Sequence, residues 1–243
     1  LHGIRCSTMK NSDQHRLAML RKHLYIIPLL AAALCGCNAL ASTPRDHDEY
    51  EVWEPEESAA HGPETPLEAA AAEVMEQEYA SIMGAAAVDA ETLWSFVCKH
   101  NPDFPREIAE AYLKVGERYG IRGDVALCQA IVETGWFMFA DGTAVSPEQH
   151  NYCGLGVTGR GMKGHVFETV EDGVRAQMQH LYAYATKAPL PKGEPLLDPR
   201  FSYVRRGIAP TWHELSNRWA MNPNYGRQIM TLYDQLLRHS KSR

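Results

Sequence analysis

From residue 89 onward, apolar side chains recur at intervals of three and four, the spacing of one helix face. Asp89–Cys98 reads as an amphipathic helix that ends before Asn101-Pro102. Pro105 opens a second helix as its first residue, and Ile108, Ala111, Tyr112, Val115 and Tyr119 share a face before Gly120 stops it. The next run, Asp124 to Phe137, is apolar apart from a few positions, with Gly123-Asp124 as its cap and Gly135 as its stop. Wound as a helix, it places Ala126, Gln129, Ala130, Glu133 and Phe137 on one stripe. Glu171–Lys187 is a long helix with Val174, Met178, Leu181 and Ala185 on its buried side, Trp212–Trp219 a short one, and Asn224–Leu237 closes the domain. Leu67–Glu78 has strong helix propensity. Between Asp141 and Gly164 the chain is rich in glycine and short of helix signals. No stretch alternates long enough to require a sheet, so the expected class is mainly α, α+β at most, with a Gly-rich loop or a small hairpin near 156–168.

Charge divides the 243 residues into three parts. The net charge is -6, but residues 1–37 carry five Lys/Arg against one Asp, residues 38–79 carry twelve Asp/Glu against one Arg, and residues 80–243 are near balance, eighteen basic to seventeen acidic. No basic face marks a nucleic-acid partner. Arg21-Lys22-His23 followed by the apolar Leu24–Leu34 is a secretory signal pattern too short to span a bilayer. Leu34-Cys35-Gly36-Cys37 resembles a bacterial lipobox. The expectation is that residues 1–36 are removed, that Cys37 carries a lipid, and that 37–79 is an acidic tether holding a catalytic domain, 80–243, to a membrane of the cell envelope. That leaves Cys98, Cys128 and Cys153; Cys98–Cys128 is the bridge expected. No His/Cys spacing suits zinc and the glycines do not follow a phosphate-loop pattern, so no metal or cofactor is expected.

Glu133 carries the chemistry. No Lys or Arg lies within ten residues before it or seven after it. A carboxyl among apolar neighbours and without a countercharge loses hydration, its pKa rises, and it can then protonate a leaving oxygen near neutral pH. The alternative is a helix-end carboxylate that faces water.

Five motifs stand in one order: Glu133-Thr-Gly-Trp-Phe137, Asn151-Tyr-Cys-Gly-Leu-Gly156, Gln177-Met-Gln-His-Leu181, Asp198-Pro-Arg-Phe201 and Trp219-Ala-Met-Asn-Pro-Asn-Tyr-Gly226. Together they resemble the bacterial endo-β-N-acetylglucosaminidases of glycoside hydrolase family 73, the mannosyl-glycoprotein endo-β-N-acetylglucosaminidase-like branch, over about residues 80–238. The resemblance implies a lysozyme-like, two-lobed helical domain that cleaves peptidoglycan after N-acetylglucosamine. It places the general acid on Glu133, a groove lining on Asn151, Tyr152, Gly154 and Gly156, and aromatic contacts on Trp219 and Tyr225. Trp136 and Phe137 are candidates to stack on sugar rings, with a core position as the other reading. The family's second carboxylate falls by spacing on Glu168, which here sits just ahead of a helix. The other route is substrate assistance, in which the sugar's 2-acetamido oxygen attacks and Tyr225 hydrogen-bonds that group. A monomer is expected. A wall-binding protein without turnover and a lytic transglycosylase are the competing functions.

Overall fold

The computed structural model describes residues 65–140, 143–159 and 161–243. The signal segment, Cys37 and most of the acidic tether lie outside the described residues. Six α-helices form among those described: α1 Pro66–Tyr79, α2 Ala90–Cys98, α3 Arg106–Tyr119, α4 Gly123–Thr134, α5 Val170–Ala185 and α6 Tyr225–Lys241. They make the fold mainly helical, as the lysozyme-like expectation requires. No sheet forms among the described residues, where strand-like pairing is limited to isolated bridges such as Ser81 with Thr211 and Met83 with Ile121.

Local chemistry sets the helix ends. Thr65 and Glu68 cap α1 reciprocally, Asp89 accepts from the Thr92 amide at the head of α2, and Thr169 accepts from the Asp172 amide at the head of α5. Gly120 (φ 63°) and Gly135 (φ 59°) end α3 and α4 in the left-handed conformation that glycine adopts without strain. The predicted stripe of α3 is buried throughout, as is that of α5.

The helix that matters most is α4. It is largely apolar, and every residue from Gly123 to Ile131 is buried, Asp124 and Gln129 included, which makes it a core helix rather than an amphipathic one. It packs on α3 and α6, while α5 packs on α3. At Gly123 a Cβ would sit 2.2 Å from the carbonyl oxygen of Tyr112, so α3 and α4 touch backbone to backbone. A second, smaller apolar cluster of Cys153, Leu155, Phe167 and Ala176 lies apart from the main core, and Trp219 packs against both.

Three expectations are corrected. Residues 156–168 do not form a hairpin: the loop is held by single contacts, His165 N–H to Leu155 O (2.8 Å) and Phe167 N–H to Gln149 O (2.9 Å), with no ladder between them. Trp212–Trp219 is not a helix but a 3-10 turn over His213–Leu215, because Asn217 takes a left-handed conformation (φ 58°) that cannot continue it. No disulfide joins Cys98 to Cys128; both are thiols, as is Cys153, and all three are buried as small apolar side chains.

Candidate active site

Glu133 is the last residue but one of α4. Once α4 ends, the chain winds the wrong way: Gly135, Trp136 and Phe137 all have positive φ (59°, 62° and 56°), as does Phe139 (47°). For a residue with a side chain this costs roughly 1–2 kcal/mol each, and it persists because the turn is clamped. Asn101 donates to the carbonyls of both Trp136 (3.1 Å) and Phe137 (3.2 Å), and Thr134 Oγ1 accepts from the Phe137 amide (2.9 Å) while donating to Ala130 O (2.7 Å). The reversed turn carries both aromatic rings away from Glu133. Trp136 stacks on His100 (centroids 3.7 Å apart), and Phe137 is enclosed among Phe104, Tyr112 and Tyr152.

The Glu133 residue as a whole is half-buried, but its carboxyl is the enclosed part. Burial raises its pKa above that of an ordinary Glu, and two hydrogen bonds oppose the rise, from the Tyr225 hydroxyl and from Trp219 Nε1 (3.0 Å). Both donors reach the same oxygen, Oε1. Oε2 is therefore the atom left to hold a proton. Tyr225 is itself buried and accepts from Gln129 Nε2 (2.9 Å).

Glu133 opens onto a cleft of about 620 Å³. One wall is the loop from Cys153 to Thr158 together with Thr143–Val145; the other holds Trp219, His180, Tyr184, Arg200 and Arg218. The loop folds back on itself because Gly156 (φ 85°) has no side chain: a Cβ there would lie 2.3 Å from the His165 ring. Asn151 pins that loop from behind, donating to Leu155 O (2.9 Å) and His165 O (3.0 Å) and accepting from the Leu155 amide (3.0 Å). On the facing wall, His180 Nδ1 is tied to the buried Asp198 carboxylate (2.7 Å), and its ring meets Trp219 edge to face (4.9 Å). Among the described residues lining the cleft Glu133 is the one carboxylate, and neither Arg200 nor Arg218 has a described carboxylate within ion-pair distance.

A family model for mannosyl-glycoprotein endo-β-N-acetylglucosaminidase matches residues 109–238, a span that runs from α3 to α6 and takes in every residue of this cleft. The chain belongs to the glucosaminidase family. It is thus a glycoside hydrolase by descent. An uncharacterized protein of Borreliella burgdorferi is 32% identical over 156 residues, covering 63% of this chain and 74% of that relative. No solved structure matches the glucosaminidase chain.

Of the residues singled out from the sequence, Glu133, Trp219, Gly154 and Gly156 line the cleft, and Tyr225 meets the Glu133 carboxyl. Asn151 and Tyr152 stand behind the loop wall, the latter fully buried in the main core. Trp136 and Phe137 are in the packing described above and not in the lining. Glu168 is exposed and outside the lining. Tyr225 is buried outside the lining, and its hydroxyl goes to Glu133 rather than to the sugar acetamide expected for it. His180, Tyr184, Asp198, Arg200 and Arg218 were not foreseen as site residues. One signal for them was present: Gln177, His180 and Tyr184 recur at three and four along α5, a polar stripe on a helix whose residues are otherwise largely buried.

Proposed function

We propose that this glucosaminidase hydrolyses peptidoglycan glycan at the β-1,4 bond after N-acetylglucosamine, with Glu133 as general acid. The observation that carries the reading is a single enclosed carboxyl, without a basic partner, opening onto a cleft with room for sugar rings. Glycoside hydrolysis ordinarily needs a second carboxylate, and the exception is attack by the substrate's own acetamide. In that mechanism Glu133 Oε2 gives its proton to the leaving oxygen as the C1–O bond breaks. The 2-acetamido oxygen closes on C1 to form an oxazolinium ion. Water then attacks C1, losing a proton to Glu133, and the ring reopens. The full cycle leaves the acid as it began, and the sugar retains its anomeric configuration. Glu168 would act only if its segment moved to the cleft. Arg200 and Arg218 in the cleft lining favour a glycan carrying carboxylates, as peptidoglycan does, over a neutral mannosyl glycan.

The test is digestion of purified peptidoglycan by wild type and Glu133→Gln, with fragments identified by mass spectrometry. Wild type should release reducing-end N-acetylglucosamine, first as the β-anomer by NMR, and Glu133→Gln should release essentially none. Anhydromuramic ends would instead make the chain a lytic transglycosylase. Binding without turnover would make it a wall-binding protein, and an active Glu133→Gln would remove Glu133 from its role. We also infer that Cys37 is lipidated, which would hold the domain to an envelope membrane at the end of the acidic segment. Metabolic labelling with an alkyne fatty acid, lost in Cys37→Ala, checks that separately.

A further inference from the structure

Of three fully buried glutamines among the described residues, two, Gln129 on α4 and Gln177 on α5, stand behind the cleft and bond to each other. Burying an amide is costly unless it is hydrogen-bonded, and apolar residues of the same size would pack the same space without that demand. The two belong to a continuous chain of bonds across four helices. Tyr112 OH on α3 donates to Gln177 Oε1 (2.5 Å), Gln177 Nε2 to Gln129 Oε1 (2.9 Å), Gln129 Nε2 to Tyr225 OH (2.9 Å), and Tyr225 OH to Glu133 Oε1.

The direction of this chain follows from one contact. Gln177 Nε2 also donates to the backbone carbonyl of Ala126 (3.2 Å), and a carbonyl can only accept. The amide of Gln177 must therefore present its NH2 group to α4. Gln129 must then meet it with oxygen and turn its own NH2 to Tyr225. With its oxygen taken as acceptor by Gln129, the Tyr225 hydroxyl has its proton free for Glu133. All four bonds run the same way, so each polarises the next.

We propose that Gln129 and Gln177 are positioning residues that lock the Tyr225 hydroxyl into donating to Glu133 Oε1, leaving Oε2 as the atom that hands over the proton. The inference rests on Glu133 being the acid. Without Gln177, the Gln129 amide can turn over and offer its oxygen to Tyr225, and the hydroxyl then has two acceptors to choose between. A donor lost from the carboxylate makes the acid weaker. The other titratable groups facing Glu133 are Tyr225 itself from α6 and, around the cleft, Cys153, His180, Tyr184, Arg200 and Arg218, whereas the hydrogen bonds of Gln177 go to Tyr112, Ala126 and Gln129.

The experiment is the pH profile of kcat/KM on peptidoglycan for wild type, Gln177→Met, Tyr225→Phe and the double variant. Gln177→Met should move the alkaline limb upward by about one pH unit, the worth of one hydrogen bond to a charged group. Tyr225→Phe should move it at least as far, and adding Gln177→Met to it should move it no further. If Gln177→Met does not fold by circular dichroism, Gln129→Met is the second variant, with the same upward shift expected. A lowered rate with an unmoved limb, or additive shifts in the double variant, would overturn the proposal. Loss of activity in Glu133→Gln keeps the acid assignment apart from this result: if that variant stays active the assignment itself fails, whatever Gln177 does.

Discussion

At the scale of the residue, two demands on Glu133 coincide in the proposed role. Catalysis wants a carboxyl that stays protonated, and folding wants no buried charge. Its pKa is raised in the folded chain, so the folded state binds the proton more tightly than the unfolded one. The resulting stability is complete below the unfolded pKa and is lost as pH rises through the folded value. Glu133→Gln cannot ionise and should escape that loss. Its melting temperature should match wild type near pH 4 and exceed it at pH 7, by roughly 2–4 °C for each kcal/mol involved. Calorimetry at the two pH values checks this; a variant less stable at pH 7 would show that the Tyr225 and Trp219 bonds outweigh desolvation. Glu133 was legible in the sequence because it is a lone carboxylate near the end of an apolar helix with no cation near it along the chain. Trp136 and Phe137 stayed open between sugar stacking and the core, because nothing in their identity announces the positive φ of the turn that carries them into the packing.

Elements were legible where period and punctuation agreed. The stripes of α3 and α5 and the stops at Gly120 and Gly135 fall where 3.6-residue periodicity and glycine chemistry put them. They were illegible where long-range bonds replace local rules. Loop 151–167 looks like a hairpin because its glycines suit turns, yet it is held by Asn151 and by Gln149, whose Nε2 donates to Gly164 O (2.9 Å). The reversed turn after α4 is such an element too. Its clamp, Asn101, comes from the segment after α2 and makes two bonds that an alanine cannot. Asn101→Ala should cost about 2–3 kcal/mol at roughly 1–1.5 per bond and should lower kcat more than it raises KM, since the end of α4 carries the proposed acid. Urea denaturation and steady-state kinetics together decide it: an equal loss of stability with unchanged kcat would mean the turn does not hold Glu133 in place.

At the scale of the whole molecule, the cleft is a product of tertiary structure. Glu133 from α4, Trp219 from the segment before α6, His180 from α5 and Gly156 from the loop meet only after the helices pack, and the order of their motifs in the sequence says nothing of the distances between them. Two of the helices, α3 and α5, share an ionic knot outside the cleft. Glu171 pairs with Lys114 (2.8 Å), Arg118 (3.2 Å) and Arg175 (2.8 Å), and Glu194 pairs with Arg118 (3.4 Å) and Arg175 (3.1 Å). Every arginine in that knot is neutralised, whereas Arg200 and Arg218 at the cleft are not. The consequence is felt in solution. Two unscreened cations lining the proposed substrate cleft draw a polyanion from beyond contact range, and dissolved ions shorten that range from about 30 Å at 0.01 M to about 3 Å at 1 M. Raising sodium chloride should therefore increase KM for the wall polymer and leave that for an uncharged chitin oligomer nearly constant, and Arg200→Gln with Arg218→Gln should make the two substrates respond alike.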